Sequence, residues 1–218
     1  MSMFGIRLVV FAFATLAAST ATTAPAQTSP TASALEPQTV EHARVIRAEI
    51  NAAYRRVPGR RLVVTEATST DVVETLTLVT DWLEPRVVAA DTGIYFAICP
   101  ARASCPSPAR SAAWPAGAFL PRRQAVELAL RTFLETSATL VVVALPTTEP
   151  LWLVLERDDL LTRVDASALL DQLAPNPAAS GAALRELVFR LTRPHLFVPL
   201  PILPAPRDTI YAIPFAGR

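Results

Sequence analysis

Residues 121–156 read PRRQAVELALRTFLETSATLVVVALPTTEPLWLVLE, and this stretch is predicted to form the core of a folded domain. Its first part has apolar side chains at helical spacing, which predicts an amphipathic helix. The members of this apolar stripe are Val126, Ala129, Leu130 and Phe133, with Leu134 beside them. Residues 139–145 are an unbroken apolar run, typical of a strand covered on both faces. Because prolines at 146 and 150 interrupt the run, residues 151–155 are predicted to form a second strand.

Charged residues of alternating sign recur every four positions along the same helix. They are Arg123, Glu127, Arg131 and Glu135. Side chains four apart lie on one helix face, where an opposite pair contributes a few tenths of a kcal/mol. We therefore predict that these four residues form a solvated ridge.

The composition favours one folded domain. The chain has 218 residues, 51% of them hydrophobic, which is enough apolar material for one sizeable core. The formal net charge is +1, so no global field recruits nucleic acid or a membrane surface. Lysine is absent and the six glycines are widely spaced, which excludes the common phosphate-binding loops.

The N-terminus carries the pattern of an export signal. Residues 8–18 are apolar, and Ala24-Pro25-Ala26 fits a small-residue cleavage site. The apolar segment is well short of the ~20 residues that a spanning helix needs. We predict a signal peptide at 1–26 and a secreted, periplasmic or cell-envelope protein with no membrane span after cleavage. If residues 8–18 are retained instead, the protein is an envelope-tethered structural protein.

The rest of the chain divides into a leader and a domain. Residues 27–37 are rich in Ser, Thr, Ala and Pro, which predicts a flexible leader. Residues 38–218 are predicted to form a single globular α/β domain, with a Pro-rich loop at 99–121 and a Pro-rich tail at 194–218. The prolines of the tail favour polyproline or edge-strand structure over central strands.

The first half of the domain begins with a predicted helix from Gln38, ended by Pro58-Gly59, and a strand at 61–67. Residues 71–83 fit either a helix or a strand. The runs at 86–90 and 94–98 flank Asp91-Thr92-Gly93 and predict a β-hairpin. The Asp-Thr-Gly triplet resembles the loop of aspartic proteases, but a turn explains its composition better.

Together these patterns predict a mixed α/β fold. It would have a single sheet of about five to seven short strands with helices packed on it. If residues 71–83 are a helix, the chain contains two helix–strand–strand units.

The long loop is the predicted recognition surface. Cys99 and Cys105 are the only cysteines, and in an exported chain they are expected to form a disulfide. Loops as long as residues 99–120 are often functional. Arg102 and Arg110 offer donors to anions and Trp114 a flat apolar anchor, residue types enriched in binding hot spots. We therefore expect a non-catalytic binding or interaction domain whose partner is an unknown protein or envelope component, in an undetermined oligomeric state.

A second basic group brackets the end of the first helix. It consists of Arg55, Arg56, Arg60 and Arg61. These side chains could bind an anionic polymer or lipid head group, or could be solvated cations that complement the helix dipole.

The competing class is a small exported hydrolase whose catalytic groups meet only in three dimensions. Carboxylates converging with His195 or Tyr95 in one pocket would favour it. With only two histidines and two cysteines, we expect neither a metal site nor a cofactor.

Overall fold

The computed structural model describes residues 36–55, 62–70, 75–79, 85–90, 92–100, 118–147, 151–173, 181–198 and 209–214. The predicted signal peptide and nearly all of the predicted leader lie outside these residues. The described part contains five helices and eight strands. The helices are α1 (Pro37–Tyr54), α2 (Phe119–Glu135), α3 (Arg157–Arg163), α4 (Ala166–Leu173) and α5 (Ala182–Leu191). The strands are β1 (Leu62–Ser69), β2 (Thr75–Val79), β3 (Pro85–Ala89), β4 (Gly93–Pro100), β5 (Leu140–Ala144), β6 (Leu151–Glu156), β7 (Pro194–Val198) and β8 (Thr209–Pro214).

All eight strands belong to one mixed sheet in the order β1-β4-β5-β6-β7-β8-β2-β3. The pairs β4–β5 and β2–β8 are parallel, and the other neighbours are antiparallel. The predicted mixed α/β fold with helices packed on a single sheet is therefore confirmed. Eight strands are described where we expected about five to seven.

The helices cover one face of the sheet and form the main core with it. Strand β5 shows the alternation directly: Val141 and Val143 belong to the core under the helices, whereas Leu140 and Val142 belong to a second cluster on the opposite face. The prediction that this apolar run is covered on both faces is confirmed, because all four side chains are buried.

The sheet curls so that its β2–β3 end returns over this second face. Arg86 on β3 donates a 3.0 Å hydrogen bond to Glu156 at the end of β6. These strands are four positions apart in the sheet, which would separate them by ~19 Å if it were flat. Leu76 on β2 lies in the same apolar cluster as Leu140 and Val142. The second face of the central strands is thus covered by the sheet itself.

The predicted hairpin at 86–98 is wrong. Strand β3 pairs with β2, and β4 lies between β1 and β5, so the two consecutive strands are not partners. The segment between them is a tight corner, in which the Gly93 N–H donates to the Ala90 carbonyl at 3.0 Å. A Cβ at Gly93 would lie 2.3 Å from the Thr70 hydroxyl, so glycine is required by close approach.

Two further alternatives are resolved by the topology. Residues 75–79 are a strand, so the helix that would have begun the first of the two proposed helix–strand–strand units, at 71–98, is not formed there. The tail forms β7 and β8, which lie inside the sheet and not at its edge as predicted. Pro194 and Pro214 stand at the first and last positions of these strands, where a missing N–H interrupts the ladder least.

Candidate functional site

The structure reaches only the beginning of the predicted recognition loop. Arg102, Arg110, Trp114 and Cys105 lie outside the described residues, so neither the loop surface nor the disulfide is tested. Cys99 lies near the end of β4, 4% exposed, with Val63 of β1 as its partner in the sheet. The chain therefore enters the loop beside strand β1, which is the outermost strand at its end of the sheet.

An open groove runs between α1 and β1, with a volume of about 440 Å³. The helix contributes Arg47, Ala48, Asn51, Ala52 and Arg55, and the strand contributes Val63, Val64 and Thr65. The helical residues recur every three to four positions, which places them on one face of α1.

Asn51 fixes the distance between helix and strand. Its Nδ2 donates to the Val64 carbonyl at 2.9 Å, and the Val64 N–H donates to its Oδ1 at 2.7 Å. The side chain thus acts as a strand partner at one residue of β1. Arg47 adds a bond from its Nη1 to the Thr65 carbonyl at 3.2 Å, where the register of β1 shifts between Val64 and Glu66. A β-bulge of this kind and the two side chains both protect an edge strand from further pairing.

The groove carries positive charge at two points. Arg47 is partly exposed and Arg55 is exposed, and neither forms an ion pair with a carboxylate among the described residues. The nearby acid Glu49 is engaged elsewhere, since it accepts from Arg131 of α2 at 2.9 Å. Arg55 belongs to the basic group noted in the sequence, whose other three members lie outside the described residues.

The groove was missed by the sequence reasoning, although a signal for it exists. Arg47, Asn51 and Arg55 follow one another at intervals of four, a spacing that places them on one helix face. Nothing in the sequence indicates that this face meets the outer strand of the sheet, because the two elements are joined only through tertiary packing.

The predicted solvated ridge on α2 is wrong in its first half. Arg123 is fully buried and Glu127 is 2% exposed, whereas Glu135 at the far end is exposed. Leu134, expected beside the apolar stripe, is instead 49% exposed. The four stripe residues themselves are buried as predicted. The ridge runs into the interior because α1, α4 and α5 pack against α2.

Arg123 connects three helices. Its Nη1 donates to the Tyr54 hydroxyl of α1 at 2.8 Å, and its Nη2 donates to the Leu173 carbonyl at the end of α4. Burial raises the pKa of Tyr54 well above its ordinary value, and the carboxylate of Glu127 raises it further. The phenol therefore stays protonated at physiological pH and accepts the guanidinium bond.

Two other arginines satisfy backbone carbonyls next to helix ends. Arg122 donates to the Thr192 carbonyl after α5 and lies 5.0 Å from the Phe189 ring centroid. Arg157 donates from Nε to the Ala138 carbonyl at 2.8 Å and also to the Thr136 carbonyl, just after α2. Burial lowers the pKa of both guanidinium groups. These contacts stabilise the helix ends, which otherwise leave carbonyls without partners.

Gln124 is the most isolated polar side chain in this interior. It is fully buried, and neither its Oε1 nor its Nε2 has a hydrogen-bond partner among the described residues.

The groups expected of a hydrolase are not brought together among the described side chains. His42 Nε2 lies 2.9 Å from Glu135 Oε2 on the exposed surface of α1 and α2. His195 is the partner of Trp152 across β7 and β6, but its side chain is outside the described set. The Tyr95 ring lies 5.2 Å from that of Trp152, and burial, helped by Glu66, raises the pKa of Tyr95 to about 12. A phenol with that pKa is a poor general base at neutral pH.

No three His, Cys, Asp or Glu residues in the described part of the chain are placed to hold a metal ion. No described helix combines the length and the apolar composition needed to cross a membrane. No family model, curated protein or solved structure matches the chain.

Proposed function

We propose that this protein is an exported, non-catalytic binding domain whose recognition surface is the corner formed by the groove and the loop 99–120. The observation that carries the proposal is the position of Val63. This residue lines the groove and is also the sheet partner of Cys99, from which the loop departs. The loop therefore begins at the edge of the sheet that carries the groove.

The groove supports binding through its shape and charge. It is open, and the described chain leaves both of its guanidinium groups without a carboxylate partner. An arginine without a carboxylate partner keeps its guanidinium donors available, so it can bind an anionic group.

The rigidity of the surrounding scaffold also supports it. Asn51 ties α1 to β1, and Arg123 ties α1 to α2 and α4. A site held by such contacts binds with a smaller loss of conformational entropy than a site on loops alone.

Panning a phage-displayed random peptide library on the full chain tests the proposal. We expect enriched peptides that bind the wild type and lose binding to the variant R102Q/R110Q/W114A. The variant R163Q, which removes an exposed arginine of α3 that pairs with Asp159, is the matched control and should bind as the wild type does. Absence of enrichment, or equal binding to the triple variant, would overturn the proposed recognition surface.

A further inference from the structure

We infer that the groove between α1 and β1 binds an extended acidic peptide segment, with one carboxylate at Arg47 and a second at Arg55. This inference deepens the proposed function and rests on it, but it concerns residues of the groove and not of the loop. It assigns a ligand chemistry to the two guanidinium groups that line this groove.

The spacing of the two arginines selects the length of the ligand. They are eight residues apart on α1, which separates their Cα atoms by about 12 Å along the helix axis. In an extended peptide, side chains four positions apart lie on the same face and about 13 Å from each other. Carboxylates at positions i and i+4 of such a peptide therefore match the two guanidinium groups.

The middle of the groove favours a peptide over a phosphate-rich polymer. Asn51 lies halfway between the arginines, and both of its amide atoms are engaged by Val64. The floor there is formed by Ala48, Ala52 and Val63, which are small or apolar. Apolar side chains between the two acids of a peptide can be buried on this floor, whereas a polyphosphate would place charge on it without a partner.

The ligand does not add a strand to the sheet. Val64 and Thr65 would present the outward-facing backbone groups of β1, but these are already bonded to Asn51 and Arg47. Recognition must therefore come from side chains, and the two carboxylates supply most of the specificity.

The two ends of the groove should contribute unequally. The Arg47 guanidinium is held by the Thr65 carbonyl, so it loses less rotamer freedom when it binds a carboxylate. Arg55 is the C-cap residue of α1, where the partial negative charge of the helix end opposes an anion. Substituting Arg47 should consequently weaken binding more than substituting Arg55.

The test uses a fluorescein-labelled synthetic peptide with two glutamates four positions apart and alanine and valine between them. The control peptide has the same sequence with glutamine in place of both glutamates. Binding to the full chain is followed by fluorescence anisotropy at low ionic strength, where exposed charges are least screened. We expect R47Q to weaken binding about tenfold and R55Q about threefold, while the control R163Q leaves it unchanged.

Reversing the charge of both arginines distinguishes binding at this specific site from a general effect of the protein's positive charge. The double variant R47E/R55E should lose the glutamate peptide and bind a peptide with arginine at the same two positions. Circular dichroism and urea unfolding of each variant confirm that α1 and β1 remain packed.

Several outcomes would overturn the inference while leaving the loop proposal intact. These are equal binding of the glutamine peptide, no binding of the glutamate peptide, or equal affinity of R47Q, R55Q and wild type. A further contrary result would be that polyphosphate binds more tightly than the glutamate peptide and loses this binding in R47Q and R55Q. That result would assign the groove to phosphate polymers. If the phage selection fails but the glutamate peptide binds in the manner described, the groove stands and the loop is not the recognition surface.

Discussion

Arg123 on α2 donates a 2.8 Å hydrogen bond to the hydroxyl of Tyr54 on α1, and both side chains are fully buried. The same guanidinium also reaches the Leu173 carbonyl at the end of α4. One arginine therefore connects α1, α2 and α4, three of the five described helices. Because α1 also forms one wall of the groove, this interior contact positions the proposed binding surface.

Removing the Tyr54 hydroxyl tests the importance of this contact. Tyr54→Phe keeps the ring but withdraws an acceptor from a buried guanidinium, so we expect the free energy of unfolding to fall by about 1–3 kcal/mol. Arg123→Met should cost more, about 3–5 kcal/mol, because it leaves two buried groups, the Tyr54 hydroxyl and the Leu173 carbonyl, without the donor they now have. Urea unfolding measures both, with Arg163→Gln as a surface control expected within about 0.5 kcal/mol. A Tyr54→Phe protein as stable as the wild type would show that the bond contributes nothing.

Stability should fall as the pH rises above 10. The pKa of Tyr54 is raised by burial, so in the unfolded chain this phenol ionises near pH 10 while in the folded protein it stays protonated. Its contribution is complete below the unfolded pKa and is lost as the pH rises toward the folded value. The pKa of Tyr95, raised to about 12, acts in the same direction between pH 10 and 12.

Unfolding midpoints measured from pH 8 to about pH 12 test this dependence. The fall should be smaller in Tyr54→Phe than in the wild type, and smaller again in Tyr54→Phe/Tyr95→Phe, because phenylalanine does not titrate. Identical slopes in all three proteins would contradict the assignment to these two phenols.

Asn51 should be required both for stability and for keeping the edge of the sheet closed. Asn51→Leu leaves the Val64 N–H and carbonyl without the partners they now have, at a cost of about 1–3 kcal/mol. The exposed edge of β1 would then be able to pair with a second copy. Urea unfolding and sedimentation velocity measure the two effects.

Asn51→Asp is a closer probe of the same contact. It retains the acceptor for the Val64 N–H but places a carboxylate against the Val64 carbonyl, so it should destabilise the protein more strongly at pH 7 than at pH 3. Equal loss at both pH values would argue against a direct contact with that carbonyl.

Arg157 should not be replaceable by lysine. Its guanidinium binds two carbonyls after α2 and lies 5.5 Å from the Phe133 ring centroid. Lysine is a point charge that cannot reproduce the planar fork, so Arg157→Lys should cost about 1–2 kcal/mol. The exposed substitution Arg163→Lys is the control, and chemical unfolding of the pair gives the comparison. Equal stability of the two variants would mean that charge alone suffices at position 157.

The predicted disulfide and signal peptide can be tested by mass spectrometry of the protein expressed from its full-length sequence. We expect a mature chain that begins at Gln27, with Cys99 and Cys105 protected from alkylation until reductant is added. For a loop of seven residues the chain-entropy model gives a stabilisation of about 2.4 kcal/mol. Alkylation of both thiols without reductant would contradict the bridge, and an intact N-terminus would favour the tethered alternative.

Local sequence patterns were sufficient to predict those helices and strands whose structure depends only on their own residues. Helix α2 and the strands β5 and β6 were predicted from periodicity, since apolar spacing and chain-breaking prolines act over a few residues. The burial of β5 on both faces also followed, because all of its side chains are apolar. The mixed α/β fold class could be predicted from the alternation of such elements.

The partners of each element could not be predicted in this way. An alternating Arg/Glu pattern on a helix fits a solvated surface, and Arg123 and Glu127 are buried because α1, α4 and α5 pack on α2. The turn signal at Asp91-Thr92-Gly93 is local, but β4 pairs with β1 and β5 on its two sides, and β3 pairs with β2.

The groove likewise combines a local feature that the sequence predicts with a long-range contact that it does not predict. The shared helix face of Arg47, Asn51 and Arg55 can be predicted from their spacing, because helical geometry is local. The contact of this face with the outer strand of the sheet, beside the start of the loop, arises from tertiary packing. Such long-range neighbours depend on how all the apolar surfaces are buried together, which no short stretch of sequence contains.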